Sequence, residues 1–292
     1  MGHLPWWKSL LLESYYYGTY PARWWNNALR RAEGRSPVMV LFYHRIADDG
    51  ANAWTTHPRV FARQMRWLKK HFDMVSLAEA QRRIASGGNS RPCVSVSFDD
   101  GYGVNIDFAL PLLLAERIPC TYFVSTDNTL RGQPFPHDVA LGKPTPPNTA
   151  EEIRALATSG IEIGAHTRSH VDLGQVDDDD RLYDELVVPR QQLEEITGKP
   201  VRYFAFPIGQ HKNMTPAAFA MAKQCGYEAV CSAYGGYNFA GDDPFHIQRI
   251  HADDDLLRLK NWLTLDPRKL QAIERYEYQS DHVDQCVAGA AR

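Results

Sequence analysis

The sequence predicts an α/β domain whose parallel strands close into a barrel. Three observations carry this reading. From Val38 onward, short apolar runs alternate with segments of three-to-four helical spacing. The runs are continuously apolar, which suits strands buried on both faces. Six to seven such units follow one another with no internal repeat and no dividing linker, which favours a barrel over an open sheet.

Residues 1–36 form an aromatic-rich N-terminal extension, with Tyr15, Tyr16, Tyr17, Tyr20, Trp24 and Trp25. Its leucines stop at Glu13, so neither a signal peptide nor the ~20 apolar residues of a spanning helix is present. Two readings stay open. The extension is an extra helix packed on the domain, or it is a peripheral membrane anchor or partner-binding tail with Arg23, Arg30 and Arg31 facing headgroups.

The domain proper is expected over residues 37–280. Val38–Tyr43 is a strand ending at His44-Arg45. Pro58 opens a helix over 58–71, and a short strand at 73–76 leads to a helix at 77–86 capped by Ser76. Cys93–Phe98 is the next strand, followed by a helix near 106–117 that Pro111 kinks or resets. Cys120–Val124 is a strand. Residues 127–148 hold five prolines and read as a long functional loop. A helix at 149–159, a strand at 161–165, a helix at 180–196 and a strand at 201–206 continue the alternation. A helix at 216–224, strands at 228–231 and 246–250, and a helix at 266–275 complete it, before a frayed tail from 281 to 292.

A hydrophobic fraction of 44% and a charged fraction of 23% are those of a soluble globular protein, and a net charge of -3 gives no reason to expect nucleic acid. The cysteines Cys93, Cys120, Cys225, Cys231 and Cys286 have neither zinc-finger spacing nor the pattern of a disulfide framework. A reducing compartment follows, with a cytoplasmic or membrane-peripheral location.

The chemistry lies at two strand ends. Phe98-Asp99-Asp100-Gly101 closes one apolar run, and His166-Thr167-Arg168-Ser169-His170 closes another. Alone, the acids read as helix caps and the histidines as structural hydrogen-bonders. Together, at strand ends that converge on one face, they read as a catalytic centre. Two neighbouring carboxylates repel, and a divalent cation removes that cost. Asp100, His166 and His170 would hold one such ion, with zinc the best fit, and leave positions open for water and substrate. Asp99 would then be free to take a proton from that water.

Ser97-Phe98-Asp99-Asp100-Gly101 and His166–His170 resemble the first two motifs of the polysaccharide deacetylase family, which carries the NodB homology domain and forms carbohydrate esterase family 4. Phe204-Ala205-Phe206-Pro207-Ile208-Gly209 is similar to the third motif, and Phe42-Tyr43-His44-Arg45-Ile46 to the opening of many bacterial members. The likeness runs from about Val38 to Arg249. It implies a distorted (β/α)7-type barrel and metal-dependent removal of N-acetyl groups from amino sugars in a polysaccharide or glycan precursor. It makes Asp99 the base and Asp100, His166 and His170 the ligands. A backbone N–H beside Pro207 and Ile208 would receive the oxyanion.

The chain departs from the family pattern in three places. Ala205 and Phe206 stand where many members have the arginine that tethers the base, and Arg249 is the candidate substitute. His251 loosely matches the late motif that supplies the general acid, with His44 as its competitor. Ile208 replaces the usual tyrosine. Trp54, Tyr102, Phe135 and Tyr237 are candidates to stack on sugar faces, and Asp138 to border the cleft. Two rival readings remain: a metal-dependent hydrolase of a non-sugar amide or cyclic imide, and a carbohydrate-binding pseudoenzyme.

Overall fold

The apolar runs become parallel strands whose pairing order brings the two edges of one sheet together. A computed structural model describes residues 6–50, 52–272 and 274–278. Its strands are β1 (Val38–Tyr43), β2 (Arg45–Ile46), β3 (Thr55–Thr56), β4 (Asp73–Met74), β5 (Cys93–Phe98), β6 (Cys120–Val124), β7 (Glu162–Ala165), β8 (Tyr203–Ala205), β9 (Ala229–Cys231), β10 (His246–Ile247) and β11 (Arg249–His251). The main sheet runs β10-β9-β8-β7-β6-β5-β1-β11 with every pairing parallel, and β4 adds to β5.

The sheet is a nearly closed barrel because β10 and β11 are two halves of one bent strand. Only Gln248 separates them, yet β10 pairs with β9 and β11 pairs with β1. The bend has a cause: the Gln248 N–H donates to the Asn238 side-chain oxygen instead of to a neighbouring strand. The single strand expected at 246–250 is therefore interrupted.

Alternate residues of each strand serve different sides of the barrel wall. Val38 and Val40 join Phe123, Tyr203, Cys231 and Ile247 in one buried cluster, together with Leu77, Ala80 and Ile84 of the helix Leu77–Ala85. Met39, Leu41 and Tyr43 join the apolar residues of other helices, among them Phe61, Met65 and Leu110, in a larger one. Gly164 on β7 is required by the tight packing of the first cluster. A Cβ there would lie 2.4 Å from the Phe123 ring, closer than atoms can approach.

Register levels the strand ends. Tyr43 pairs with Phe98, Phe98 with Tyr122, Val124 with Ala165, and Ala165 with Phe204. The residues that follow these ends (His44, Asp99 and Asp100, His166, Phe206) therefore collect on one rim, where barrels place their chemistry.

Several local expectations change. The stretch 127–148 is not one loop. It contains the helix Pro136–Ala140, started by a proline whose fixed φ suits a first helical position, and the helix Thr126–Arg131 overlaps its start. Pro111 makes no kink, because the helix begins only at Ala109 and the first turn tolerates proline. An unexpected helix, Leu256–Leu263, is capped by Asp255, whose carboxylate accepts from the N–H groups of Leu257 and Arg258. The C-terminal helix spans Pro267–Ala272, and the tail expected from 281 lies outside the described residues.

The N-terminal extension is one helix, α1 (Trp6–Ala32), laid against the domain. Its inner face carries Tyr16 and Arg23, both buried. The Tyr15 hydroxyl donates to Asp266 (2.7 Å), and Arg23 donates to the Asn261 carbonyl (3.0 Å). Arg23 thus points into the protein and not toward headgroups. No described helix is long and apolar enough to cross a membrane.

Candidate active site

Asp99 and Asp100 reach the same rim because the backbone reverses between them. The Asp99 N–H donates to the Tyr43 carbonyl and continues the β-ladder. Asp100 then adopts φ +75° and Gly101 φ +82°, which cancels the strict alternation of a strand. Left-handed backbone costs a non-glycine residue about 1–3 kcal/mol. Of the six described non-glycine residues with positive φ, four are Asp100, Thr167, His170 and Ile208. The strain is concentrated on the rim segments that carry the candidate residues.

Asp99 is clamped. Arg249 donates through both terminal nitrogens to its two oxygens, at 2.6 and 2.8 Å, and both side chains are buried. The guanidinium is itself fixed by the Ser232 carbonyl (3.0 Å) and lies over the Phe42 ring. Burial works to raise the Asp99 carboxyl, but Arg249 and then His166 outweigh it and hold the acid below its ordinary value. Asp99 is therefore ionised and immobile at neutral pH. Arg249, the sequence's candidate substitute for the missing arginine, is the partner in this ion pair.

Asp100 faces two imidazoles. Its Oδ1 lies 3.1 Å from His170 Nε2 and 3.4 Å from His166 Nε2. This buried oxygen has no hydrogen-bond partner among the described residues. One ligand atom from each of Asp100, His166 and His170 lies within 4.8 Å of the others. An unpartnered buried carboxylate oxygen beside two ring nitrogens fits a cation, which would satisfy all three. The His166 Nδ1 hydrogen-bonds the Ala205 carbonyl at 2.8 Å, which leaves Nε2 with its lone pair toward Asp100. Burial opposes ionisation of Asp100, but the adjacent His170 and then His166 outweigh it and hold its carboxyl well below the usual range.

Pro207 and Ile208 form the opposite lip. Ile208 is exposed with φ +61°, and its turn is closed by the Gly209 N–H on the Pro207 carbonyl (2.6 Å). Gly209 is obligatory, because a Cβ would sit 2.7 Å from the Ala233 nitrogen.

His44 and His251 stand on the adjoining strands, with ring centres 6.0 Å apart. Burial lowers both. His251 falls to about 4, with His44 adding to the effect, whereas Asp100 and Asp99 oppose the fall in His44. The half-exposed Trp54 lies 5.0 Å from the His44 ring and 5.8 Å from His251.

Trp54 is the one expected sugar platform with an open face. Tyr102 and Phe135 are fully buried, and Phe135 packs edge-on against His170. Tyr237 is buried with its hydroxyl on the Trp262 carbonyl. Asp138 does not border open cleft. It is buried, accepting from the Tyr102 hydroxyl (2.7 Å) and the Asn52 amide (2.8 Å). These groups form the wall behind His170.

Two supporting residues escaped the sequence reading. Glu185 accepts from both the N–H and the hydroxyl of Ser169, fixing the turn between the two histidines. Its signal was an acid on the apolar stripe of a helix, beside Leu182 and Leu186. Asn105 donates to the His44 carbonyl and accepts from the Ile46 N–H, tying the β1 end to the loop after Asp100. No spacing marked it.

The polysaccharide deacetylase family model matches residues 86–230, the stretch that holds Asp99, Asp100, His166 and His170. The chain carries a polysaccharide deacetylase domain. The family that the motifs resemble is the family found. The Bacillus subtilis protein YxkH, whose name as a polysaccharide deacetylase is provisional, is 24% identical over 200 residues. The match covers 68% of this chain and 65% of YxkH, so the chain spans about two thirds of that relative's length. Among solved structures, IcaB from Ammonifex degensii superposes with a TM-score of 0.64 and 24% identity, over 78% of this chain and 97% of that one. The Streptococcus pyogenes deacetylase PplD, solved with acetate, gives 0.65 and 20%, over 80% and 100%. A de-N-acetylase from Aggregatibacter actinomycetemcomitans gives 0.61 and 21%, over 77% and 98%. These likenesses show the shared barrel fold.

Proposed function

We propose that this domain is a metal-dependent deacetylase that hydrolyses N-acetyl groups of amino sugars in a polysaccharide or glycan precursor. The observation that supports it best is the unpartnered Oδ1 of Asp100 facing His166 and His170, beside an Asp99 clamped by Arg249.

Asp100, His166 and His170 would hold one divalent cation, and two imidazoles with one carboxylate suit zinc. When bound, such an ion polarises the acetyl carbonyl and lowers the pKa of water. The residues of the chain do the rest. Asp99, ionised and fixed by Arg249, accepts the proton of the attacking water. The backbone N–H at exposed Ile208 donates to the developing oxyanion, with Pro207 stiffening its turn. His251 or His44 passes a proton to the departing amine. Each is neutral at pH 7 and must first receive the proton that it delivers. Water is divided between the products: its oxygen joins acetate, and one proton leaves on the amine.

The pseudoenzyme reading rested on the missing arginine and the uncertain acid, and the Arg249–Asp99 pair supports the enzyme reading on the first of these. The test is acetate release from chitin oligosaccharides. Release should stop with a chelator and return with zinc. Chelator-insensitive release would sink the metal reading. Ring opening of a cyclic imide without acetate release from any acetylated sugar would favour the non-sugar hydrolase.

A further inference from the structure

We propose that the outer face of α1, together with a basic patch at its C-terminal end, docks the protein on an anionic lipid surface beside the active-site rim.

The helix divides sharply into two faces. Its less exposed positions (Leu12, Tyr16, Thr19, Arg23, Asn27 and Arg30) recur every three to four residues and face the domain. The tethers on that face are largely polar. They include Tyr15 on Asp266, Arg23 on the Asn261 carbonyl, and Asn27 on the Thr264 carbonyl. The large apolar side chains are the exposed ones, with Tyr17 and Trp24 on the flanks that also wall the grooves against the domain. Trp6, Leu11, Tyr17, Trp24 and Trp25 are 60–78% exposed. At 1.5 Å per residue they span roughly 29 Å of the helix. Scattered exposed apolar residues are ordinary, but a continuous ridge rich in tryptophan and tyrosine marks a contact surface.

Charge selects the occupant. Glu13 is the only acid in α1. Beside its C-terminal turns lies a groove of about 450 Å³ between aromatic walls that include Tyr20, Trp24 and Trp67. Arg31 continues from it into a second concavity lined by Lys69, Lys70, His71 and Arg91, where Glu116 pairs with Lys69 and Asp73 with Arg91. The chain as a whole carries -3, so this positive field is local. Indoles and phenols that enter the headgroup layer, flanked by cations that meet anionic headgroups, are the pattern of an in-plane interfacial helix.

The helix also reaches the segments next to the rim. Leu12, Glu13 and Tyr17 line a depression with Asp48, Thr55, Asp254, Asp255 and Arg258, which lie on the segments that follow β1 and β11, so the cations that meet headgroups are those at the other end of α1. The C-terminal end of α1 meets Pro37 and Pro92, at the opposite ends of β1 and β5. α1 therefore runs along the barrel flank from the catalytic rim to the far end. A lipid surface on this flank passes beside His44 and His251. Resting on the deacetylase reading, the glycan would be met at the height of lipid headgroups.

The test is co-sedimentation of the full chain with vesicles of phosphatidylcholine alone and of phosphatidylcholine with phosphatidylglycerol. The protein should sediment with the anionic vesicles, less so at high salt, with a blue shift of tryptophan emission. Trp24→Ser/Trp25→Ser should weaken binding by about tenfold or more. Arg31→Glu/Lys70→Glu should abolish the preference for anionic vesicles. Both variants should melt like the parent and release acetate from soluble chitin oligosaccharides at the parent rate, which separates this proposal from the deacetylase reading. No sedimentation with either vesicle, equal binding to both, or a dimer that Trp24→Ser/Trp25→Ser dissolves would overturn it.

Discussion

Asp99 and Asp100 are neighbours in the chain and opposites in their surroundings. Both are buried at the same rim. Asp99 meets a guanidinium fixed on three sides and uses both oxygens in the clamp. Asp100 meets two imidazoles and keeps one oxygen unpartnered. On the proposed function, the difference separates two tasks. A carboxylate whose negative charge is balanced by a permanent cation is a stable proton acceptor. A carboxylate left incomplete beside two ring nitrogens would be a place for an ion. The positive φ of Asp100 sends two adjacent side chains to these two environments.

Substitutions should break this pair asymmetrically. Asp100→Ala should remove both ion binding and activity, giving the largest loss. Metal analysis with acetate release checks it. Asp99→Asn should lower kcat by about 10²–10⁴-fold, the range of a lost general base, while the ion stays. Arg249→Met leaves Asp99 as an uncompensated buried charge. It should cost about 3–5 kcal/mol of stability in denaturant melts, and Asp99→Asn in the same chain should return part of that loss. Glu185→Gln loosens the turn between the histidines and should weaken ion affinity by about tenfold with little change in fold, read by competition with a chelating dye.

The smallest effect at neutral pH should come from a buried histidine remote from the pair. Burial pushes His246 down to about 3, and neither ring nitrogen has a hydrogen-bond partner among the described residues. Its folded pKa lies below the unfolded value of about 6.5, so folding favours the neutral form. The stability that this contributes is present above pH 6.5 and is lost as pH falls toward 3. His246→Phe should leave melting at pH 8 nearly unchanged and flatten the decline between pH 6.5 and 4. An equal shift at both ends would refute the assignment.

How much was legible in the sequence depends on the range of the interaction. The strands were readable because burial on both faces makes their runs continuously apolar, as in Val38–Tyr43 and Cys93–Phe98. Asp99, Asp100, His166 and His170 were readable because each pair is a local spacing at the end of such a run. Arg249 could only be offered as a candidate, since it lies 150 residues from Asp99 and the clamp exists only once the barrel closes. The aromatic candidates failed for a related reason. Residue type does not tell which side of the wall a ring occupies, so Tyr102 and Phe135 became packing while Trp54 stayed open. The bend at Gln248 was hidden because its cause is a side-chain contact with Asn238, ten residues earlier, that no residue pattern marks.

The most direct measurement is the zinc content of the Asp99→Asn and Asp100→Asn variants after loading and dialysis, by elemental analysis. The account predicts about one ion per chain in Asp99→Asn and none in Asp100→Asn. Retention of the ion in Asp100→Asn with its loss in Asp99→Asn would contradict it.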